Sequence, residues 1–299
     1  TETVVLSRVI ENVKKEGSEM GLATFKGGIH PYEGKELSEN QPIEVLMPKG
    51  ELVYPVSQHI GAPAKPLVKK GDQVLVGQKI AEAGGFVSAN VICSVSGTVK
   101  AVEPRRMANG SMVNSIIVEN DGEYKAIEGM GEDRNPSSLS KDEILGIVKE
   151  AGIVGLGGAG FPTHVKLAPK DPSKIDYVIV NGAECEPYLT SDYRIMLEEP
   201  KKVIGGLKVI LQLFSNAKGV IGIEDNKPEA IKKLTDLVKD EPKITVCPLK
   251  TKYPQGGERT LIYAVTGRKV NSSMLPADAG CIVDNVDTVA AIYMAVCKS

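Results

Sequence analysis

Several residue types are scarce in this 299-residue chain, which has no tryptophan, four phenylalanines and three histidines. The histidines, His30, His59 and His164, fall in different segments, so the sequence does not indicate a histidine metal centre. The five cysteines are odd in number and never form a Cys-x-x-Cys pair, which argues against a disulfide framework and against a zinc or iron–sulfur site. We therefore predict reduced cysteines and no metal site.

The chain also lacks a strong net charge and a long apolar run. It has 36 basic residues against 38 acidic ones, a net charge of -2, and this balance gives little support for nucleic-acid binding. No apolar stretch is long enough to span a membrane, and the N-terminus lacks the layout of a signal peptide. Hydrophobic residues make up 42% of the chain, which is enough for two compact domains. We predict a cytoplasmic protein that binds no nucleic acid.

The first part of the chain predicts a small all-β domain. Residues 1–42 combine a short helix, from Val5 to Lys15, with an extended arm rich in glycine and proline. From residue 43 to 122, short β-branched runs alternate with turns, which is typical of an all-β fold. The predicted strands are 43–46, 73–76, 79–82, 91–93, 97–102 and 115–118.

Two segments of this domain, 70–80 and 94–99, resemble the two halves of a biotinyl/lipoyl-type barrel-sandwich domain. Domains of that type carry a modifiable lysine on the hairpin between the halves. The corresponding hairpin, 83–90, has no lysine. We therefore predict that the barrel is a structural or docking module without biotin or lipoate.

The second half of the chain predicts an α/β domain at 140–299. It follows a polar stretch, 123–139, which we interpret as a linker. Ser140 and Glu143 have the spacing of a capping box, which predicts the start of an amphipathic helix.

Three apolar strands, at 175–180, 220–223 and 244–247, then alternate with two helices, one from Val203 to Phe214 and one from Asn226 onward. This βαβαβ order predicts a parallel sheet between helices, with ligands at the carboxyl ends of the strands. The predicted fold class is α/β plus all-β.

A glycine-rich loop lies between the capped helix and the first of these strands. Glycine lets backbone amides approach a phosphate closely. The loop does not directly follow a strand, so it does not fit the dinucleotide fingerprint, and a turn needed only for tight packing is the alternative. The four glycines are Gly155, Gly157, Gly158 and Gly160.

Polar and aromatic residues near this loop favour a bound nucleotide. Phe161 ends the loop, where its ring can stack on an adenine or a flavin, and Lys166 follows at a distance suited to a phosphate. Glu184 and Glu186 alternate along an extended segment and are expected to share one face, where they can bind ribose hydroxyls or a nicotinamide. The alternative is that Phe161 belongs to the core, that Lys166 is a solvated surface charge, and that the two glutamates lie on a solvated loop.

Motifs along nearly the whole chain resemble two related protein families. Similarity to the flavin site of the NADH-oxidising subunit of respiratory complex I is found in segments 155–166, 180–187 and 253–258. Similarity to the RnfC subunit of the ion-pumping ferredoxin:NAD oxidoreductase is found in segments 27–31, 58–61, 222–228 and 251–254. The sequence is identified on these motifs as a member of the RnfC family.

The resemblance implies that FMN binds noncovalently, that NADH is the substrate, and that hydride passes between nicotinamide and flavin. The residues implied for the phosphate region of FMN are Gly155, Gly157, Gly158, Gly160 and Lys166. Those implied for the rest of FMN are Asn181, Glu184, Tyr253, Gly256 and Asn285. Those implied to face NADH are Phe161, Glu258 and Glu186, the last as the candidate catalytic residue.

The family also implies partners and a location. The partners would be the other Rnf subunits, both membrane and ferredoxin-like, with ferredoxin reached indirectly. The chain would then lie peripherally on the inner face of the cell membrane. Because RnfC-like proteins continue into a ubiquitin-like domain and a region with two [4Fe-4S] clusters, we expect this sequence to be part of a longer protein whose clusters lie in the remainder.

Four positions depart from the complex I pattern. This chain has Leu156 where the pattern has arginine, Ala183 where it has aspartate, Gly257 where it has glutamate, and Asp284 where it has asparagine. Two other functions therefore stay open. One is a docking subunit with a vestigial nucleotide site, and the other is an RnfC-like electron carrier for a soluble reductase.

Overall fold

The computed structural model describes residues 22–298, which form a β unit followed by an α/β unit. The strands of the β unit are β1 (Glu51–Pro55), β2 (Lys65–Pro66), β3 (Gln73–Val74), β4 (Lys79–Glu82), β5 (Val91–Ile92), β6 (Gly97–Arg106) and β7 (Met112–Asn120). The strands of the α/β unit are β8 (Tyr177–Gly182), β9 (Lys218–Glu224), β10 (Ile244–Leu249) and β11 (Cys281–Asn285). The helices are α1 (Lys141–Glu150), α2 (Thr163–Lys166), α3 (Ser191–Glu198), α4 (Pro200–Leu213), α5 (Pro228–Val238), α6 (Glu258–Thr266) and α7 (Val286–Cys297). The helix predicted from Val5 to Lys15 lies outside the described residues.

The β unit is a barrel-sandwich of two antiparallel sheets. One sheet has the order β1-β7-β6-β3, and the other has the order β2-β4-β5. Fully buried aliphatic side chains from both sheets, such as Ile80, Val99 and Ile116, pack between them. Five of the six predicted strands are confirmed as β3 to β7, whereas β1 and β2 were not predicted.

The predicted strand at 43–46 is wrong. This segment pairs with no strand among residues 22–298, and Val45 and Leu46 are 84% and 91% exposed. Its first amide, on Ile43, donates to the carboxylate of Glu198 instead. β-branched side chains favour a strand only where neighbours cover them, and here nothing in the described chain does so.

The α/β unit is built on a parallel sheet with the order β10-β9-β8-β11, as the βαβαβ pattern predicted. One face packs against α1, α3, α4, α5 and α7. The other face packs against α6 through Leu261, Ile262 and Val265. Strand β11 and helices α6 and α7 were not predicted, and they add the sheet's fourth strand and complete its two layers.

Local signals set the starts of the main helices. The Ser140 hydroxyl accepts from the amide of Glu143 at 3.3 Å, and the Glu143 carboxylate accepts from the amide of Ser140 at 2.7 Å, so the predicted capping box is confirmed. The helix predicted to start at Asn226 begins two residues later, at Pro228, whose fixed φ suits the first helical turn.

The N-terminal arm and the predicted linker both pack against other segments. Arm residues 22–42 lie against the α/β unit, where Ala23 forms a β-bridge with Leu249 and Ile29 forms one with Tyr253. In the stretch 123–139, Ala126 bridges Val76 of the β unit. The domain boundaries at 42, 122 and 139 stay predictions.

The hairpin 83–90 is fixed against the α/β unit. The Asn90 side-chain amide donates to the carbonyls of Lys149 and Glu150 at the end of α1, both at 3.2 Å. The main chain also approaches closely here, because a Cβ on Gly152 would lie 2.4 Å from the Asn90 carbonyl oxygen. The barrel and the α/β unit are therefore joined where a carrier domain would hold its mobile arm. Within residues 22–298, the structure has no helix with the length and apolarity of a membrane span.

Candidate functional site

The glycine-rich loop is a turn held at its base by a short ladder. The amide of Gly155 donates to the Phe161 carbonyl at 2.8 Å, and the amide of Thr163 donates to the Ile153 carbonyl at 3.0 Å. Residues 156–159 form the exposed tip between these bonds. The amide of Leu156 donates to the Thr288 hydroxyl at 2.9 Å, which ties the tip to the first turn of α7.

The four glycines have different reasons to be glycine. A Cβ on Gly157 would lie 2.9 Å from the Asn285 Cβ, and Gly160 has a left-handed backbone (φ 64) against the main chain of Gln58 and His59. A Cβ on Gly158 would meet nothing within 4 Å, and one on Gly155 would make only ordinary contacts, the nearest at 3.7 Å. Packing therefore explains two of the glycines and leaves open space in front of Gly158.

Three backbone amides at the tip of this turn have no hydrogen-bond acceptor in the part of the chain that the structure describes. Among residues 22–298, the N–H groups of Gly157, Gly158 and Ala159 donate to no protein acceptor. Successive free amides on one turn form a concave site suited to an anion. The interpretation of the loop as a phosphate cradle stays a prediction.

The ends of β8 and β11 bring two of the predicted asparagines side by side. Asn181 and Asn285 are register partners in the parallel pairing of these strands. The Asn181 side-chain amide donates to the Gly256 carbonyl at 2.8 Å, which brings the 253–258 segment to the same edge. The Asn285 side-chain oxygen accepts from the amide of Asp287 at 2.9 Å and caps α7.

Tyr253 and Gly256 line this edge through close backbone contacts. The amide and carbonyl of Tyr253 pair with those of Ile29 in the arm, at 2.8 and 2.9 Å. The charge of the nearby Glu186 raises the pKa of the Tyr253 phenol. The amide of Gly256 donates to the Cys185 sulfur at 3.2 Å.

Lys166 is already engaged by the protein. Its ammonium donates to the Val283 carbonyl at 2.7 Å and lies 3.2 Å from a carboxylate oxygen of Asp284. Asp284 is 1% exposed, and neither of its oxygens forms a well-aligned hydrogen bond. Burial raises the pKa of Asp284, whereas the charge of Lys166 lowers it. The positive charge predicted to meet a phosphate is thus partly compensated.

Glu258 lies on the first turn of α6, near the same pair. Although the residue is exposed, desolvation of its carboxyl raises the pKa of Glu258. The charge of Lys166 opposes that shift and the charge of Asp284 reinforces it. Phe161 is half-buried at the base of the glycine turn, where its carbonyl accepts from the amide of Gly155, and its role toward NADH stays a prediction.

The prediction that Glu184 and Glu186 share a face is wrong. Glu184 has a left-handed backbone (φ 51), which breaks the alternation of an extended segment. Its side chain is buried and one carboxylate oxygen accepts from the amide of Asp192 at 2.7 Å, at the start of α3, whereas Glu186 is exposed. Only Glu186 is therefore presented to solvent.

Two buried lysines that sequence reasoning gave no role hold the segment 183–189. Lys35, in the arm, donates to the carbonyls of Glu184 and Leu189 at 2.8 and 2.6 Å. Lys227 donates to the Ala183 carbonyl at 2.8 Å, and burial lowers its pKa. Lys227 belongs to the RnfC-like segment 222–228, but Lys35 has no local signal that separates it from a surface lysine.

Comparison with known families supports the two-unit architecture. Residues 148–294 match the model of the Nuo51 FMN-binding domain, and residues 23–123 match that of the RnfC barrel sandwich hybrid domain. Over 275 residues the chain is 48% identical to a subunit of the proton-translocating ferredoxin:NAD(+) oxidoreductase complex of Clostridium ljungdahlii, covering 92% of this chain and 60% of that protein. The chain belongs to the RnfC family.

Relatives from other organisms are also similar in sequence over most of this chain. The chain is 48% identical over 269 residues to the corresponding protein of the Na(+)-translocating ferredoxin:NAD(+) oxidoreductase complex of Acetobacterium woodii, covering 90% of this chain and 61% of that protein. It is 41% identical over 279 residues to the corresponding protein of the ion-translocating oxidoreductase complex of Pseudomonas aeruginosa, covering 92% of this chain and 36% of that protein. The chain thus spans about a third to three fifths of the relatives it matches.

A carboxyl beside the glycine turn, that of Asp192, has a raised pKa. Burial raises the pKa of Asp192 to about 7, and the nearby charge of Glu184 adds to the shift. The Asn285 side-chain amide donates to Asp192 at 2.7 Å and lowers the pKa in part. Since Asn285 also lies against Gly157, the protonation of Asp192 is linked to the packing of the turn.

This shift predicts a pH dependence of stability. An unfolded aspartate titrates near 3.9, so between about pH 4 and 7 the folded chain holds more protons at Asp192 than the unfolded chain, and the free energy of unfolding falls as pH rises through that window. Urea unfolding at pH 5 and pH 8 should show a larger loss in the wild type than in Asp192→Asn, by on the order of 1 kcal/mol or more. Asp240→Asn, at an exposed carboxyl, is the control. Equal losses in the wild type and Asp192→Asn would contradict this assignment.

Proposed function

We propose that this chain is the FMN- and NADH-binding part of an electron-transfer subunit, in which hydride passes between the nicotinamide and FMN. The observation that carries the proposal is the glycine turn at the carboxyl edge of the parallel sheet. Among the described residues, the amides at its tip have no acceptor and the space before Gly158 is open. Phosphates bind at such edges because backbone amides converge there.

The residues present fit the phosphate end of FMN. The amides at 157–159 would hold the phosphate, and Lys166 would add a positive charge from behind. Among residues 22–298, the Asp284 carboxylate and one oxygen of Glu184 are buried without a hydrogen-bond donor, so both could accept from hydroxyl groups of the ribityl chain. Asn181, Tyr253, Gly256 and Asn285 would border the remainder.

FMN, when bound, supplies a two-electron hydride acceptor that can release electrons singly. The protein's own contribution is to orient the two ligands and to keep water from the space between them. Glu186, which is exposed beside Tyr253, would bind and orient NADH as the catalytic residue. Phe161 and Glu258 would form the other side of the nicotinamide site.

The names of the relatives support a proposal about the complex to which this chain would belong. Their names attach ferredoxin, NAD(+) and ion translocation to complexes of several subunits. We propose the same assembly for this chain, with the other Rnf subunits as partners, ferredoxin reached indirectly, and a peripheral place on the inner face of the cell membrane.

A second candidate is a docking subunit with a vestigial nucleotide site. It is favoured by the fixed hairpin 83–90, whose Phe86 is 81% exposed. It is also favoured by the ion pair in which Asp284 offsets the positive charge of Lys166. The two functions differ in one direct property, because only the first requires FMN to bind at the glycine turn.

A bulky residue at position 158 should block FMN without harming the fold. Gly158→Val places its side chain in open space, so we expect the free energy of unfolding without ligand to change by less than about 1 kcal/mol and FMN affinity to fall at least about tenfold. Flavin fluorescence titration measures the affinity. Gly146→Val is the matched control, since a Cβ there also meets nothing within 4 Å. Equal FMN affinity in Gly158→Val and the wild type would place the cofactor elsewhere.

Substitutions on the nicotinamide side should weaken NADH binding without weakening FMN binding. Losing one good contact costs about 1–3 kcal/mol, so Glu186→Gln and Phe161→Ala should each weaken NADH binding roughly 5- to 150-fold while FMN affinity is kept. Calorimetry on the FMN-loaded protein gives both affinities, with Glu128→Gln, at an exposed position, as the control. Unchanged NADH affinity in both variants would remove Glu186 and Phe161 from the site.

A further inference from the structure

The arm places one buried ammonium group at the centre of the loop that follows β8. Lys35 is 6% exposed, and its ammonium donates to three carbonyls of this loop, those of Leu189 at 2.6 Å, Glu184 at 2.8 Å and Glu186 at 3.1 Å. An ammonium has three hydrogens, so these bonds use its full donor capacity. One carboxylate oxygen of Glu184 lies 4.0 Å away and adds an opposite charge.

The loop 183–189 needs such a partner because its backbone is irregular. Glu184 and Tyr188 both have left-handed backbones, with φ of 51 and 68, which are unfavourable for residues other than glycine. These conformations persist only where surrounding contacts impose them. Tyr188 is held by the arm as well, because its amide donates to the Glu33 carbonyl at 2.7 Å.

The cost of burying a charge argues against a role in packing alone. An apolar side chain could join the arm to the loop without the desolvation penalty of an ammonium. It could not satisfy the three carbonyls that converge on the ammonium, one through a buried bond and two through partly buried bonds, and these would then lose their common donor. The bonds of Lys35 therefore set the path of the loop 183–189, which presents the exposed Glu186 side chain.

We propose that Lys35 is a positioning residue for NADH: it touches neither ligand, but it fixes the loop that presents Glu186, so that the N-terminal arm completes the nicotinamide side of the site. The inference rests on the proposed function for the identity of the ligand. The bonds between Lys35 and the loop do not depend on it.

The test is chemical rescue of Lys35→Ala. The atoms removed correspond to n-propylammonium, so this cation should reoccupy the space, whereas n-propanol has the same length without the charge. We expect NADH affinity of the FMN-loaded variant to fall at least about tenfold, with FMN affinity within about threefold of the wild type. We expect n-propylammonium to restore most of the NADH affinity and n-propanol to restore none.

Lys233→Ala is the matched control, because that exposed lysine also donates to a main-chain carbonyl, of Leu197 at 2.7 Å, away from the loop. It should leave both affinities unchanged. The proposal is overturned if Lys35→Ala keeps its NADH affinity, if it loses FMN and NADH equally, or if n-propylammonium restores no more than n-propanol does.

A second readout separates this proposal from the proposed function. If the wild type binds no NADH, the proposed function fails, and hydrogen exchange of the loop amides, above all that of Tyr188, which donates to the Glu33 carbonyl, decides the role of Lys35 by itself. Faster exchange in Lys35→Ala that n-propylammonium reverses would support the proposal that Lys35 fixes the loop. Exchange equal to that of the wild type would overturn it.

Discussion

The parallel pairing of β11 with β8 is the interaction on which the rest of the site depends. It places Asn285 beside Asn181, so that two side-chain amides leave the sheet at the same level. Asn285 then caps α7 and lies against Gly157, while Asn181 holds the Gly256 carbonyl. Segments far apart in the chain therefore meet at one edge because two strand ends are in register.

Acidic and basic side chains are buried together at this edge. Four carboxyl groups that are wholly or largely buried, on Glu184, Asp192, Glu224 and Asp284, face three lysines, Lys35, Lys166 and Lys227. Burial raises the pKa of Glu224 to about 7, although the charge of Lys227 opposes the shift. A phosphate at the glycine turn would consequently be held by oriented backbone amides more than by net positive charge.

Local patterns in the sequence predicted the parts of the fold that depend on neighbours in the chain. The capping box at Ser140, the alternating apolar strands and the turn-rich barrel all follow from such patterns, and the glycine loop could be found by composition alone. The strand predicted at 43–46 failed because a strand also needs a partner. The shared face of Glu184 and Glu186 failed because one left-handed residue reverses the alternation.

The remaining features depend on distant contacts that no local pattern encodes. Lys35 meets a loop about 150 positions away, and the pairing of Lys166 with Asp284 spans more than a hundred residues. In the sequence both lysines are indistinguishable from solvated ones. The family resemblance could place Lys166 near a phosphate, but it could not show that a buried carboxylate already offsets its charge.

Hydrogen exchange of the glycine turn with and without FMN is the most direct test of the central claim. The amides of Gly157, Gly158 and Ala159 have no acceptor among residues 22–298, so the account predicts fast exchange without FMN and marked slowing when FMN is bound, with the hairpin 83–90 unaffected. Binding of FMN that leaves exchange at 157–159 unchanged, or that protects the hairpin instead, would contradict it.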